Sequence, residues 1–574
     1  MMKWWGWGDK NFTFPMQTRP DLWPWIKGQL GIEKEELSLP NKRESIKLPS
    51  ANINLNFLRE LESVLKTDQI TSDDDERLLH AYGKSFPDLF RVRNGIIRKA
   101  PDLVLLPENH AEVEGIIKLA HQHNVSVIPF GGGTNIVGGV DPLDLSGRMI
   151  VTLDLRRMNR VLSIDPQSNT ATIQGGALGP KLEEDLQAKG FSLGHYPDSF
   201  EYSTLGGWLA TRSAGMQSDA YGKIEHMLVS LKVVTPSGTI ATRLTPASSA
   251  GPDLNQLMVG SEGILGVITE ATMRVHKAPL VKDYRGFLFK SFEDGVRAIE
   301  DCLASGFAPS MIRLQDSYET QLALNLKVPK KGFSAWIQKP IKAYLKRTGY
   351  TAPSIMIVGF EGNPRPVSLV RNDALKILKR HGGFSLGKSV GKTWSVDKFN
   401  VPYLRDWVMD YGVMVDVAET ATVWSQVVPL YRKTIDEMKA KFARESTKKG
   451  YIGCHISHTY KTGASLYFTY GVKQIPGKEL DQYYGYKHFV TDTFVKNGGT
   501  LTHHHAVGYE HTEWMEEEVS RTGLQALEAV KDSLDPKGIL NPGKLLPRKD
   551  ERTVEKTASL RSERSAPSSL PVFD

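Results

Sequence analysis

At 574 residues the chain has room for about three or four domains, and its 40% hydrophobic and 24% charged residues exclude a disordered or fibrous protein. A net charge of +7 is mild for this length and argues against nucleic-acid binding. Only Cys302 and Cys454 are present, which excludes a disulfide framework and a cysteine-based metal site. No apolar run reaches the ~18–20 residues of a membrane span. The N-terminal MMKWWGWGDKNF lacks the apolar stretch of a signal peptide, and the C-terminal LPVFD is not a peroxisomal tripeptide, so a cytoplasmic location is expected.

Residues 1–96 read as a helical region dense in tryptophan. Trp4, Trp5, Trp7, Trp23 and Trp25 either pack across the main body or form a membrane or partner contact. From 97 the pattern is α/β. NHAEVEGIIKLAHQHN places Val113, Ile116, Ile117 and Ala120 on one helical face, and VSVIPF is a buried strand. MIVTLDL, RVLSID and TATIQGG follow as strands, LGPKLEEDLQAKG as a helix closed by Gly190, and HMLVSLKVVTPSGTI as two strands about a Pro-Ser-Gly turn. Residues 97–280 are taken as one domain. Mixed strands and long helices such as FEDGVRAIEDCLASG mark a second over 281–499. Residues 500–547 read as a segment returning to the first, and 548–574 as a disordered tail. The fold class expected is α+β.

The loop PFGGGTN, Pro129–Asn135, follows a strand. Its three glycines remove every Cβ, so backbone amides can approach an anion such as a pyrophosphate. The spacing matches neither GxGxxG nor GxxxxGK[ST]. PDSFEYSTLGGW adds small residues and hydroxyls at Ser199, Ser203, Thr204, Gly206 and Gly207; TRSAG adds Thr211 and Ser213 to Gly215. In GSEGILGVITEA, glycines 260, 263 and 266 interrupt a strand-like apolar run, the sign of close backbone approach to a ligand. In this order and spacing the four stretches resemble the FAD-binding domain of the vanillyl-alcohol-oxidase/p-cresol-methylhydroxylase superfamily. The resemblance implies a two-subdomain FAD-binding fold with an α+β cap carrying an antiparallel sheet. It assigns the pyrophosphate to Pro129, Phe130, Gly131, Gly132, Gly133, Thr134 and Asn135. It assigns the rest of FAD to Asp198, Ser199, Phe200, Glu201, Tyr202, Ser203 and Thr204, to Thr211, Arg212, Ser213 and Ala214, and to Glu262, Gly263, Ile264, Leu265, Gly266, Val267 and Ile268. No histidine lies in PFGGGTNIVGGVDP, so the flavin is expected to be non-covalent.

Three segments bear on the chemistry. GGTLTHHHAVG holds His503, His504 and His505; imidazoles shuttle protons near neutral pH, and on a strand at most two of three would share a face. CHISHTYKTGASLYFTYG holds Tyr460, Tyr467 and Tyr470, either packing residues or, beside cations, an acid or base of lowered pKa. Arg313 and Arg405 are either structural ion-pair partners or phosphate ligands. LTHHHAVG, IRLQD, YLRD and GASLYFTY, with the W-GWG near the start, resemble the alkyldihydroxyacetonephosphate synthase family over nearly the whole chain to about 547.

That resemblance implies an FAD-dependent exchange without net redox. The acyl chain of acyl-dihydroxyacetone phosphate is replaced by a long-chain fatty alcohol through a flavin N5 adduct, as in ether lipid synthesis. Tyr467 would move a proton, Arg405 bind the substrate phosphate, Arg313 keep the flavin site intact, and His503 to His505 polarise substrate and relay protons. A homodimer is implied by the superfamily, and no metal ligand is assigned. HISHTYKTGASLYF does not reproduce the HxGDGNxH stretch of the related 2-hydroxyacid dehydrogenases, and His455 and His458 depart from the family pattern. The alternative is an FAD-linked oxidase or dehydrogenase of a 2-hydroxy acid or other alcohol. Residues 331–350, which mix Phe333, Trp336 and Ile337 with Lys339, Lys342, Lys346 and Arg347, are either an amphipathic surface helix or a peripheral membrane contact.

Overall fold

The computed structural model describes residues 2–143, 146–328, 343–445 and 448–547. The expected tail and most of the 331–350 segment lie outside the described residues.

The first sheet has the order Ile70–Thr71, Leu103–Leu105, Ile150–Asp154, Ser126–Phe130. Its last three strands are parallel, and Ile150–Asp154 is buried at every position, as a strand covered on both faces must be. Helix His110–His123 buries Val113, Ile116, Ile117 and Ala120 against it. The Asn109 side chain caps its first turn, and Asn124 ends it in the left-handed conformation. Residues near the C-terminal end hydrogen-bond to this sheet: Val127 N donates to the Ile539 carbonyl at 2.8 Å, and Asn541 N donates to that of Val127 at 2.9 Å. The expected boundary at 97 cuts through a shared core. Ile70–Thr71 pairs antiparallel with Val104–Leu105, and Phe57, Leu61 and Leu65 pack with Leu103, Val127 and Val151. The two-residue strand Ile70–Thr71 is too short to show a period in the sequence, which hides this continuity.

The second sheet is antiparallel, in the order Val161–Asp165, Thr170–Gln174, Val267–Arg274, Leu228–Thr235, Gly238–Ala241. Leu182 and Leu186 of helix Gly179–Gln187, with Leu205, Trp208 and Leu209 of helix Leu205–Ala210, close its core.

The third sheet has seven antiparallel strands: Phe384–Gly387, Val281–Phe289, Ser354–Gly362, Met311–Gln315, Tyr451–Tyr460, Gly463–Lys473, Val413–Val423. Side chains alternate between its faces. Ile312, Leu314, Met356, Val358, Ile456, Leu466, Phe468 and Met414 point to one side. There they pack against helices Phe292–Ala304, Pro364–Arg380, Trp424–Arg444 and Glu479–Lys496. The opposite face is turned toward the first two sheets.

The N-terminal tryptophans pack rather than project. Trp7 is buried with Phe14, Tyr403 and Val408, and the Trp23 ring meets that of Trp407 at 5.0 Å. Among the described residues no helix is long and apolar enough to cross a membrane.

Candidate active site

A cavity of about 1530 Å³ lies between the glycine loops and the free face of the seven-stranded sheet. A single small ligand fills ~300–1,000 Å³, so this space accommodates two molecules side by side.

All of Pro129–Asn135 lines it, with Asp198, Ser199, Ser203, Thr204, Thr211, Ser213, Ala214, Glu262, Gly263, Gly266, Val267 and Ile268. The glycines serve a crossing of two loops. A Cβ on Gly132 would stand 1.6 Å from the Tyr202 carbonyl oxygen, and one on Gly131 would stand 2.3 Å from Thr204 Oγ1. Asn135 closes the turn, its Oδ1 accepting the amides of Val137 at 3.0 Å and Gly139 at 2.6 Å. Glu262 ties this wall to the returning segment, accepting the amides of Val507 and Gly508 at 2.7 Å each.

Six expected cofactor residues do not line the cavity. Phe200 stacks between Trp208 and Phe399. Glu201 is exposed. Tyr202 shares a hydrogen bond with the Tyr403 hydroxyl at 3.1 Å. Arg212, at φ +51°, donates to Gln256 Oε1 at 2.9 Å. Ile264 and Leu265 lie in the hydrophobic core, because residues 260–265 form a turn and the strand begins only at Val267. Leu155, Gly175, Ile136 and Val140 line the cavity and carry no chemical signal in the sequence.

The floor is built by register. Gln315, His455, Tyr467 and Glu419 are successive Cα partners across four strands and so share one face, and Arg313 is two residues before Gln315. A bulge at Ile456–His458 pairs His458 with Ser465, which brings His458 onto the face of His455 and Tyr467. The Tyr467 ring stacks on His455 with centroids 4.8 Å apart and meets His505 edge-on at 5.3 Å. Burial raises its phenol well above the usual range, Asp198 adds to this, and Arg313 only partly offsets it. Of the two readings open for this tyrosine, a pKa lowered by cations does not apply, because desolvation outweighs the arginine; Tyr467 is a neutral phenol. His455 Nδ1 pairs with Glu319 Oε2 at 2.8 Å.

Both arginines face the cavity with unused donors. Arg405, on helix Val401–Met409, donates through Nη1 to the Lys84 carbonyl at 2.6 Å, and its buried Nε and Nη2 have no partner. Arg313 Nε is likewise buried and unpaired.

The three histidines lie in a bend rather than on a strand, so the alternation argument does not apply. Their backbone amides converge on the buried Glu419 carboxylate at 2.8–3.0 Å, which also accepts Thr502 Oγ1 at 2.7 Å. His504 and His505 line the cavity; His503 stands behind them. Burial pushes His504 and His505 down to about 4 against the pull of Glu419, so both rings are neutral near pH 7. Burial opposes the charged form of Glu419, yet the surrounding histidines, through their rings and the His504 amide, hold its carboxyl well below the usual range. Glu419 and Glu319 carry no motif that marks them in the sequence.

Residues 101–243 match the family model described as FAD binding domain, and residues 278–545 the model described as FAD linked oxidases, C-terminal domain. The matched models make FAD the cofactor, and a glycine-lined wall with hydroxyls from Ser199, Ser203, Thr204 and Thr211 fits that group. The alkyldihydroxyacetonephosphate synthase of Dictyostelium discoideum is 41% identical over 96% of this chain and 95% of its own. A solved structure of alkyldihydroxyacetonephosphate synthase superposes with a TM-score of 0.84 at 38% identity, covering 95% of this chain and 99% of the other. p-Cresol methylhydroxylase with substrate bound shares the fold, at a TM-score of 0.62 and 15% identity over 85% of this chain and 96% of its own. The chain belongs to the alkyldihydroxyacetonephosphate synthase family of FAD-linked enzymes.

Proposed function

We propose that the chain exchanges the acyl chain of acyl-dihydroxyacetone phosphate for a long-chain alcohol. The carbon–oxygen bond to the fatty carboxylate breaks, a bond to the alcohol oxygen forms at the same carbon, and the alcohol proton is released; no electrons are gained or lost. The observation that carries this reading is that one cavity joins the flavin-type glycine wall, two arginines with unpaired donors, and an apolar wall of Phe14, Ile26, Leu30, Leu322, Val408 and Val413. A phosphate suits the arginines, and an alkyl chain suits the apolar wall.

Bound FAD supplies an electrophilic ring able to activate the exchanging carbon. The protein does the rest. Arg405 offers Nε and Nη2 to the phosphate. Tyr467, being neutral, accepts a substrate proton only as it passes its own on, and the neutral His504 and His505 rings packed beside it are the acceptors. Glu419 holds those rings in place.

The same reading includes contact with a lipid surface. Leu345, Lys346 and Tyr350 line the cavity, and Tyr344, Lys346 and Arg347 are exposed at its edge. Changing both Lys346 and Arg347 to Glu is expected to reduce co-sedimentation with anionic vesicles, with unchanged sedimentation counting against the contact.

The test is the flavin-loaded enzyme with palmitoyl-dihydroxyacetone phosphate and labelled hexadecanol. Label enters alkyl-dihydroxyacetone phosphate, and Tyr467→Phe loses ~10²–10⁴-fold of the rate. No incorporation, together with flavin bleaching by an alcohol or hydroxy acid, would replace this reading with an oxidoreductase.

A further inference from the structure

We propose that His458, His503 and His504 form a binding site for one divalent transition cation of the zinc class, open to the catalytic cavity. Each histidine offers one ring nitrogen, and the three nitrogens lie within 4.8 Å of one another. Bound at ~2.0–2.1 Å in a tetrahedral site, such nitrogens stand roughly 3.4 Å apart. Small ring rotations therefore complete the shell.

Neighbouring groups already orient two of the rings. His503 Nε2 bonds to the Tyr460 hydroxyl, which leaves its Nδ1 turned inward. His458 Nδ1 bonds to Ser457 Oγ at 2.9 Å, which leaves Nε2. Metal-binding histidines are held in this way, through the nitrogen that does not ligate. The bulge at Ile456–His458 is what aims His458 at this point. Without the extra residue its side chain would lie on the helix-covered face.

The pair formed by His503 and His504 is the most telling contact. Their Nδ1 atoms approach to 2.9 Å. At most one of two neutral rings needs to carry a proton there, and a cation that accepts both lone pairs takes that proton's place. The Glu419 carboxylate lies 3.5 Å from His504 Nδ1 and 4.0 Å from His503 Nδ1, and its charge favours a cation. The Lys223 ammonium donates to the His503 carbonyl at 2.9 Å, but Glu225 pairs with it at 3.1 Å. Three imidazoles without an oxygen ligand favour zinc, copper or nickel over magnesium or calcium. His458 and His504 both line the cavity, so the fourth position is open to water or an anionic group.

A cation here withdraws the His504 lone pair from proton transfer, so the site is inhibitory. That consequence alone rests on the proposed function; metal binding does not.

The experiment uses the flavin-loaded enzyme, stripped with chelator and titrated with Co²⁺ and Zn²⁺. The expected result is a single ion per chain and the intense visible bands of tetrahedral Co²⁺, displaced by Zn²⁺. In His458→Gln and, separately, His503→Gln, affinity falls more than about tenfold, while His381→Gln, remote from the site, binds as the parent does. The flavin spectrum verifies that each variant is folded. Zn²⁺ also slows labelled-alcohol exchange in the parent, reversibly with chelator, and His458→Gln escapes this. Absence of tetrahedral Co²⁺ bands, or Zn²⁺ content unchanged in both folded site variants, overturns the site. Metal binding without any exchange activity would leave the site standing and overturn the proposed function.

Discussion

Glu419 and Tyr467 are direct partners across an antiparallel strand pair, so the carboxylate that anchors the triple-histidine bend rises from the same face as the phenol it serves. One carboxylate collects three consecutive backbone amides and a hydroxyl. Removing it leaves buried donors unsatisfied at ~1–3 kcal/mol each. Glu419→Ala is therefore expected to lower the thermal midpoint and to cut exchange by at least about tenfold. Glu419→Asp, which keeps the charge on a shorter arm, recovers part of both. A Glu419→Ala variant that exchanges at the parent rate would show that the bend needs no anchor.

Arg405 keeps two buried donors unpaired while the third is tied to the Lys84 carbonyl. Such an arrangement costs energy in the free enzyme and is repaid when an anion arrives. A lysine cannot both reach that carbonyl and hold a phosphate bidentately. Hydrogen bonds to charged groups contribute ~1.5–3 kcal/mol, so Arg405→Lys should raise KM for the phosphate substrate by about 10- to 150-fold. KM for the alcohol should change little. Equal losses for both substrates would remove Arg405 from the phosphate site.

The parts of this site that are legible in the sequence are those whose composition is unusual. Three adjacent glycines and three adjacent histidines have few other uses, and the strands Ser126–Phe130 and Ile150–Asp154 are plain because they are short apolar runs bounded by turn residues. Glu419 is not legible, since a single glutamate in a strand reads as a solvated residue until Tyr467 is known to lie opposite it. The same holds for Phe200, Ile264 and Leu265. They sit within a cofactor-type stretch, yet a turn or a ring stack points them into the core. The bulge that aims His458 is also invisible, because one extra residue leaves no compositional trace.

His195 is a buried imidazole bonded through Nε2 to Ser213 Oγ at 3.1 Å, and burial pushes it down to about 3. Its folded pKa lies below the unfolded one, so the unfolded chain takes up a proton below about 6.5 while the folded one does not. The stability it contributes is complete above that pH and is lost as pH falls toward 3. The buried carboxyls of Asp219 and Glu262, raised to about 7, act in the opposite direction, so total stability does not isolate the effect. A variant does. The stability gap between the parent and His195→Gln should shrink by about 1.4 kcal/mol between pH 7.5 and pH 5.5. That is roughly 1 °C in midpoint for a chain of this size. A gap that is constant with pH would mean the imidazole takes up its proton in the fold as readily as in the unfolded chain.

The N-terminal WWGWG forms a strap over one helix of the cavity wall. Gly6 and Gly8 lie against helix Val401–Met409, which carries Arg405. A Cβ on Gly6 would stand 2.3 Å from Asp406 Oδ2, and one on Gly8 would stand 2.0 Å from the Tyr403 hydroxyl. The strap is fastened by Trp7 N donating to Asp406 Oδ2 at 2.7 Å and by the Lys3–Asp406 ion pair at 2.9 Å. Its contacts with the helix flank Arg405 on both sides, at Tyr403 and Asp406. Gly8 also has φ +72°, where any L side chain is strained by ~1–2 kcal/mol. Gly8→Ala should therefore lift the strap from the helix. The expected outcome is a severalfold rise in KM for the phosphate substrate with the flavin spectrum unchanged, because the atoms nearest a side chain at Gly8 all belong to Tyr403 of the arginine-bearing helix. Loss of flavin in place of the KM change would mean that the strap supports the cofactor wall and not Arg405.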